Sequence, residues 1–167
     1  MARYVRQQWR DGDPETPLTA ARLGYIEDGI FMAPIVSTAR VYKSGDQSIP
    51  TFANTTIDLA LNEGVTGDAL EIVTNGIRVL RAGVVSIASS VWFTGATTSE
   101  RNLGVSQNGT GVRQVGAQNL RGGSADVLRC TAGDVLTLTL YTTAAATVKG
   151  GATKDTGLTV TYLGPAS

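Results

Sequence analysis

Three stretches of the chain alternate apolar with small or polar residues almost without interruption: Ile57-Asp-Leu59-Ala-Leu61, Leu136-Thr-Leu138-Thr-Leu140 and Leu158-Thr-Val160-Thr-Tyr162. A period of two puts every second side chain on one face of a sheet, so each stretch is expected as a half-buried strand. The polar face is largely threonine, which is β-branched, packs well on a pleated surface and carries no charge. The sequence contains no histidine. Such a chain reads as built to assemble rather than to catalyse.

Its 167 residues suffice for one substantial domain with a small appendage. Charged residues make up 17%, below the roughly 25% of ordinary soluble proteins, and the 20 glycines suit short strands joined by tight turns. The formal net charge is zero, so no long-range field draws the chain to nucleic acid or to an anionic membrane, and self-repulsion is small. Neither is expected as a partner. The N-terminal residues are polar and lack the apolar core of a secretion signal. The apolar runs near 83–88 and 30–36 are far too short to span a bilayer. Synthesis in a cytosol is expected. The single Cys130 has no internal disulfide partner; between Leu128 and a turn at Ala132-Gly133 it reads as a small buried hydrophobe.

Residues 1–33 read as an arm followed by a short helix. Tyr4, Arg6, Trp9 and Arg10 precede the turn-rich Asp11-Gly-Asp-Pro-Glu-Thr-Pro17. Thr19 can cap a helix in which Leu23, Ile26 and Ile30 share one face, and Gly29 ends it. About three turns do not persist alone in water, so this helix must dock on something. Ala33-Pro34 marks the boundary with a β domain over 34–167. Strands are expected near 38–43, 48–52, 55–62, 69–74, 76–80, 83–94, 101–107, 111–116, 124–130, 135–142 and 158–163. Asn75-Gly76 and Asn108-Gly109 are two-residue hairpin turns; Gly122-Gly123 and Gly133-Asp134 are weaker turn signals. Ala144 to Gly157 reads as a mobile loop around a weak strand. Many short strands with regular turns and no second helix argue for an all-β, two-sheet sandwich.

No residue set is arranged for catalysis. Without histidine there is no imidazole base, no Ser-His-Asp or Cys-His arrangement and no histidine-ligated metal. Asp11, Asp13 and Glu15 form a turn before they form a cation site. The glycines of 104–111 are followed by neither a Lys-Ser/Thr pair nor a helix, so a hairpin outweighs a phosphate loop. No catalytic residue, cofactor or metal is expected. Arg78, Arg81, Arg121 and Arg129 read as solubilising a sheet face. Of Trp92 and Phe93, one belongs in the core and its neighbour faces out as a candidate subunit contact.

Two sets of motifs carry a resemblance. Trp9-Arg-Asp-Gly12, Thr16-Pro-Leu-Thr-Ala-Ala-Arg-Leu23 and Ile26-Glu-Asp-Gly-Ile30 resemble a short module at the start of many bacteriophage virion proteins, departing from it at Leu18 and Gly24. Ala39-Arg-Val-Tyr-Lys-Ser-Gly-Asp-Gln-Ser-Ile-Pro50, Asn75-Gly-Ile-Arg-Val79, the run from Ala82 to Phe93, and Cys130-Thr-Ala-Gly-Asp-Val-Leu-Thr-Leu138 are similar to the complement and tumour-necrosis-factor type of jelly roll. The resemblance implies a jelly-roll sandwich forming a tight homotrimer, carried on a virion.

The leading functional expectation is a capsid decoration or head-fibre protein. Its arm would attach to the major capsid protein or another virion protein, with Tyr4, Trp9, Leu23, Ile26 and Ile30 burying apolar area and Arg3, Arg6 and Arg10 pairing with shell carboxylates. The alternative is a tail-fibre or baseplate protein that recognises a host surface glycan or protein through the turn around Arg101, Asn108 and Arg113. A sugar site usually wants exposed aromatics, and only 6% of residues are aromatic. A non-viral secreted trimer of the complement-like class comes third.

Overall fold

The computed structural model describes residues 36–95, 101–116 and 121–165; the arm and helix expected over 1–33 lie outside them. The described residues contain no helix. Their strands are β1 (Ser37–Tyr42), β2 (Gln47–Ile49), β3 (Thr55–Thr56), β4 (Leu61–Thr66), β5 (Leu70–Val73), β6 (Gly76–Val79), β7 (Gly83–Gly95), β8 (Arg101–Gln107), β9 (Thr110–Gly116), β10 (Arg121–Cys130), β11 (Val135–Thr142), β12 (Ala146–Val148) and β13 (Gly157–Gly164). They build a sandwich of two antiparallel sheets. One runs β2-β12-β7-β13-β1-β4 with β10 added along β7; the other runs β5-β6-β11-β8-β9 with β3 added along β11.

Two of the three alternating stretches lie at the centre of this arrangement, one in each sheet. On β11, Leu136, Leu138 and Leu140 are fully buried while Thr137 and Thr139 face away from the core. On β13, Leu158 and Val160 are fully buried opposite Thr159 and Thr161. The long β7 adds Val85, Ile87, Val91 and Phe93 to the same core. Each such aliphatic chain contributes roughly 1.5–3 kcal/mol relative to exposure.

The third stretch is not a strand. Residues 57–60 carry the chain from β3 in one sheet to β4 in the other. Alternation still governs burial, with Ile57 and Leu59 at 0% and 3% exposure and Asp58 and Ala60 outside. What is missing is a neighbouring ladder, so other groups satisfy the backbone. Ile57 N donates to Leu138 O at 2.8 Å. The Gln47 side chain donates to Thr56 O and accepts from Asp58 N, both at 2.9 Å, in the manner of a strand neighbour. Lys43 Nζ donates to Asp58 O at 3.3 Å.

Other expectations shift for local reasons. The strand expected to reach Phe52 ends at Ile49, because the chain turns after Pro50 and Phe52 takes a φ of 57°. Gly122-Gly123, read as a turn, lies inside β10, paired with Val91 and Ser90 of β7. The hairpin at Asn75 is shifted by one: Val73 pairs with Gly76, so the turn residues are Thr74 and Asn75. Gly76 is required there by close approach, since a Cβ would lie 2.4 Å from Leu136 O. The Asn108-Gly109 turn forms as expected, with φ of 53° and 79° between paired Gln107 and Thr110. Within the segment read as mobile, β12 pairs with both β2 and β7 and buries Val148 completely. Thr156 Oγ1 then ties the return to the sheet, donating to Lys149 O at 2.7 Å and accepting from Trp92 N at 3.1 Å.

Candidate functional site

The surface that stands apart is the outer face of β10, β7 and β13. Register places Val127, Ser86 and Thr161 in one row across the three strands, Ala125, Ala88 and Thr159 in the next, and Gly123 beside Ser90 beyond them. Every one of these side chains is small and uncharged. Ala88 and Ser90 are exposed and Val127 is 56% exposed. A face of this kind loses no charge solvation when covered and holds few long side chains to immobilise, so a second protein surface can approach it closely.

β10 also has an open edge: among the described residues its only strand partner is β7. A free edge of ten residues is a site for further pairing. Asp126, paired with Ile87, sits on the core-facing side of β10. A charge pointing inward from an edge strand is one way to discourage unlimited edge-to-edge growth. Face packing remains open.

At one end of β10 the chain is clamped. Asp134 is 6% exposed and accepts from Gln107 Nε2 at 2.6 Å, Asn108 Nδ2 at 2.7 Å and Thr131 N at 2.7 Å. Asn108 Oδ1 in turn accepts from Val135 N at 2.9 Å. Burial alone would raise the Asp134 pKa; the hydrogen bonds from Thr131, Asn108 and Gln107 outweigh it and hold the carboxyl below the usual range. The β8–β9 and β10–β11 turns are thereby locked together. Cys130 is 5% exposed, and burial, helped by the Asp134 charge, pushes its thiol up to about 11. It packs as a small hydrophobe.

The residues expected on a receptor-facing turn have other surroundings. Arg101 is 2% exposed, its guanidinium stacked 4.5 Å from the centroid of Phe93. Asn108 has its side chain committed to the Asp134 clamp. Arg113 stands in β9 opposite Val105. Arg3, Tyr4, Arg6, Trp9, Arg10, Leu23, Ile26 and Ile30 lie outside the described residues. The arginines expected to solubilise a sheet separate as well. Arg78 pairs with Glu71 and Arg81 with Asp68, both exposed, and Arg129 lies at one margin of the uncharged face. Phe93 is core, and Trp92 is half-buried on the outer side of β7.

Sequence reading did not single out the face itself. Its signal is the run Val84-Val-Ser-Ile-Ala-Ser-Ser90, where the residues alternating with the core are all small, but only the register shows β10 and β13 matching it on either side.

No family model matches the chain, and no curated protein does. Solved structures do. Murine APRIL aligns with a TM-score of 0.58 at 18% identity, over 77% of this chain and 99% of that one. PRD1 vertex protein P5 aligns with a TM-score of 0.58 at 19% identity, over 78% and 97%. Eiger TNF from S. frugiperda aligns with a TM-score of 0.55 at 13% identity, over 80% and 96%. At such identities the likeness is one of fold: the described sandwich is a jelly roll of the tumour-necrosis-factor type.

Proposed function

We propose that this chain is a structural protein of a bacteriophage virion, a homotrimer whose jelly roll caps or projects from the capsid while residues 1–33 attach it. The observation that carries the reading is the uncharged, small-residue face of β10, β7 and β13 beside an open strand edge, a surface suited to another copy of itself. The shared fold with a vertex protein supports the virion setting, as does the motif series at Trp9–Ile30. The chemistry is binding. Arg3, Arg6 and Arg10 would pair with shell carboxylates, and Tyr4, Trp9, Leu23, Ile26 and Ile30 would bury apolar area. Three arms on one body turn modest single-arm affinity into firm attachment.

Light scattering on the purified chain tests the trimer: a mass three times that of the chain is expected, and a monomer at micromolar concentration would sink it. Gold-labelled antibody on intact virions tests the location. Label spread over the head supports decoration, and label on neither head nor tail removes the virion reading.

The second reading, a tail-fibre or baseplate protein that recognises the host surface, is favoured by a different observation: a polar hollow on the outer face of the other sheet. Label at the tail tip would promote it.

A further inference from the structure

On the outer face of the β11–β8–β9 sheet, the Asn108-Gly109 hairpin overhangs a cleft of about 150 Å3. Thr137 and Thr139 of β11, Ser106 of β8 and Thr56 of β3 line it together with Asn54 and the bare backbone of Gly109 and Gly111. A bulge makes the hollow. Pairing steps from Val105–Arg113 to Ser106–Gly111, which leaves Val112 as an extra residue and bends β9 away. A Cβ at Gly111 would meet nothing within 4 Å, so the space in front of it is open.

The polar groups here are not consumed by the fold. Ser106 is only 4% exposed, yet its hydroxyl forms no hydrogen bond with any described residue. The same holds for the side chains of Thr56, Thr137, Thr139 and Asn54. The Ser106 hydroxyl is open to the cleft rather than sealed in the core. Here it belongs to a group of hydroxyl and amide functions converging on one concavity.

We propose that this cleft binds a single uncharged sugar ring, as a free sugar or as the terminal unit of a glycan. None of the described lining residues ionises, so among them a phosphate, a carboxylate or a metal ion finds no counter-charge. Polar walls disfavour an apolar ligand. The volume falls short of the roughly 300 Å3 at which drug-sized ligands begin to fit, but it holds several waters and so one pyranose. Hydroxyls and an amide both donate and accept, which matches the vicinal hydroxyls of a sugar. With no aromatic among the described lining residues for the ring to stack on, a single site binds on the order of millimolar Kd. The proposal rests on the host-recognition reading and not on the trimer, which light scattering reports separately.

The test is titration of the full-length chain, labelled at threonine methyls, with glucose, galactose, mannose and N-acetylglucosamine, and with sialic acid as the charged comparison. Saturable shifts of Thr137 and Thr139 for at least one neutral sugar are expected, and should be lost in both G111V and S106A while the remaining methyl signals keep their positions. G111V fills the cleft; S106A removes only one oxygen and guards against a misfolded first variant. No saturable shift at these methyls with any neutral sugar overturns the proposal, as does a response confined to sialic acid or one that survives both variants. An oligosaccharide ending in the binding sugar that gives the same methyl shifts and binds one site about tenfold or more tightly than the free monosaccharide identifies a surface glycan as the source; equal affinity identifies the free sugar.

Discussion

The two outer faces of the sandwich are made of similar residues and differ in shape. Both carry threonine and serine opposite a leucine- and valine-rich core, as the two periodic stretches on β11 and β13 dictate. The face of β10, β7 and β13 has a regular register across Ala125, Ala88 and Thr159 and stays even. That of β11, β8 and β9 is hollowed by one bulge and two glycines. Composition alone therefore does not decide between an even surface and a hollowed one. A single register shift does.

Charge placed on either face should separate them most clearly. A88R puts a long cation at the middle of the even face, and light scattering should then find monomer in place of the proposed trimer. T139R, the same charge on the hollowed face, should leave the trimer intact. If both variants dissociate it, or neither does, the assignment of faces fails.

The Asp134 clamp holds the hairpin that overhangs the hollow, and its loss should cost about 3 kcal/mol in urea denaturation, through three broken hydrogen bonds to a buried carboxylate. Because the folded carboxyl is held below its ordinary value, its contribution is full above the unfolded pKa of about 3.9. It is lost as pH falls through the folded value. The gap between D134A and the parent chain should therefore close in acid. A gap that widens in acid would contradict the hydrogen-bonded geometry.

A smaller loss, about 1 kcal/mol per hydrogen bond removed, is expected for Q47A, which withdraws the side chain bridging Thr56 and Asp58 at the crossover between the two sheets. Both outer faces should survive it, read as unchanged mass and unchanged threonine methyl shifts. Least visible of all, Cys130 should resist thiol reagents at pH 8 in the folded chain and react once urea unfolds it, given a thiol pushed up to about 11. Rapid reaction in the native state would mean that the end of β10 opens.

These contrasts also mark where sequence reading succeeds. Leu136–Leu140 and Leu158–Tyr162 were legible because a strand's burial period is local. Ile57–Leu61 kept the period but lost the strand, since an extended crossover alternates its side chains without a hydrogen-bonded neighbour. β4 was missed beyond Asn62 because every residue of Leu61–Thr66 is exposed on an edge and no apolar period marks it. β12 was legible only as a weak strand in a run of alanine, threonine and glycine; it is ordered by β2 and β7, both distant in sequence. The burial of Arg101 was not legible because its stacking partner Phe93 lies on another strand. The cleft combines residues of β3, β8, β9 and β11, so no single window of sequence contains it.

The position of β1 has a mechanical consequence. It enters at Ser37 with six residues paired to β13 on one side and five to β4 on the other. Antiparallel hydrogen bonds lie perpendicular to the strand axis. A tug transmitted through residue 36 along that axis loads both ladders in shear, so their bonds must fail together rather than peel away in turn. A tether at this end pulls along a line that two ladders resist in shear.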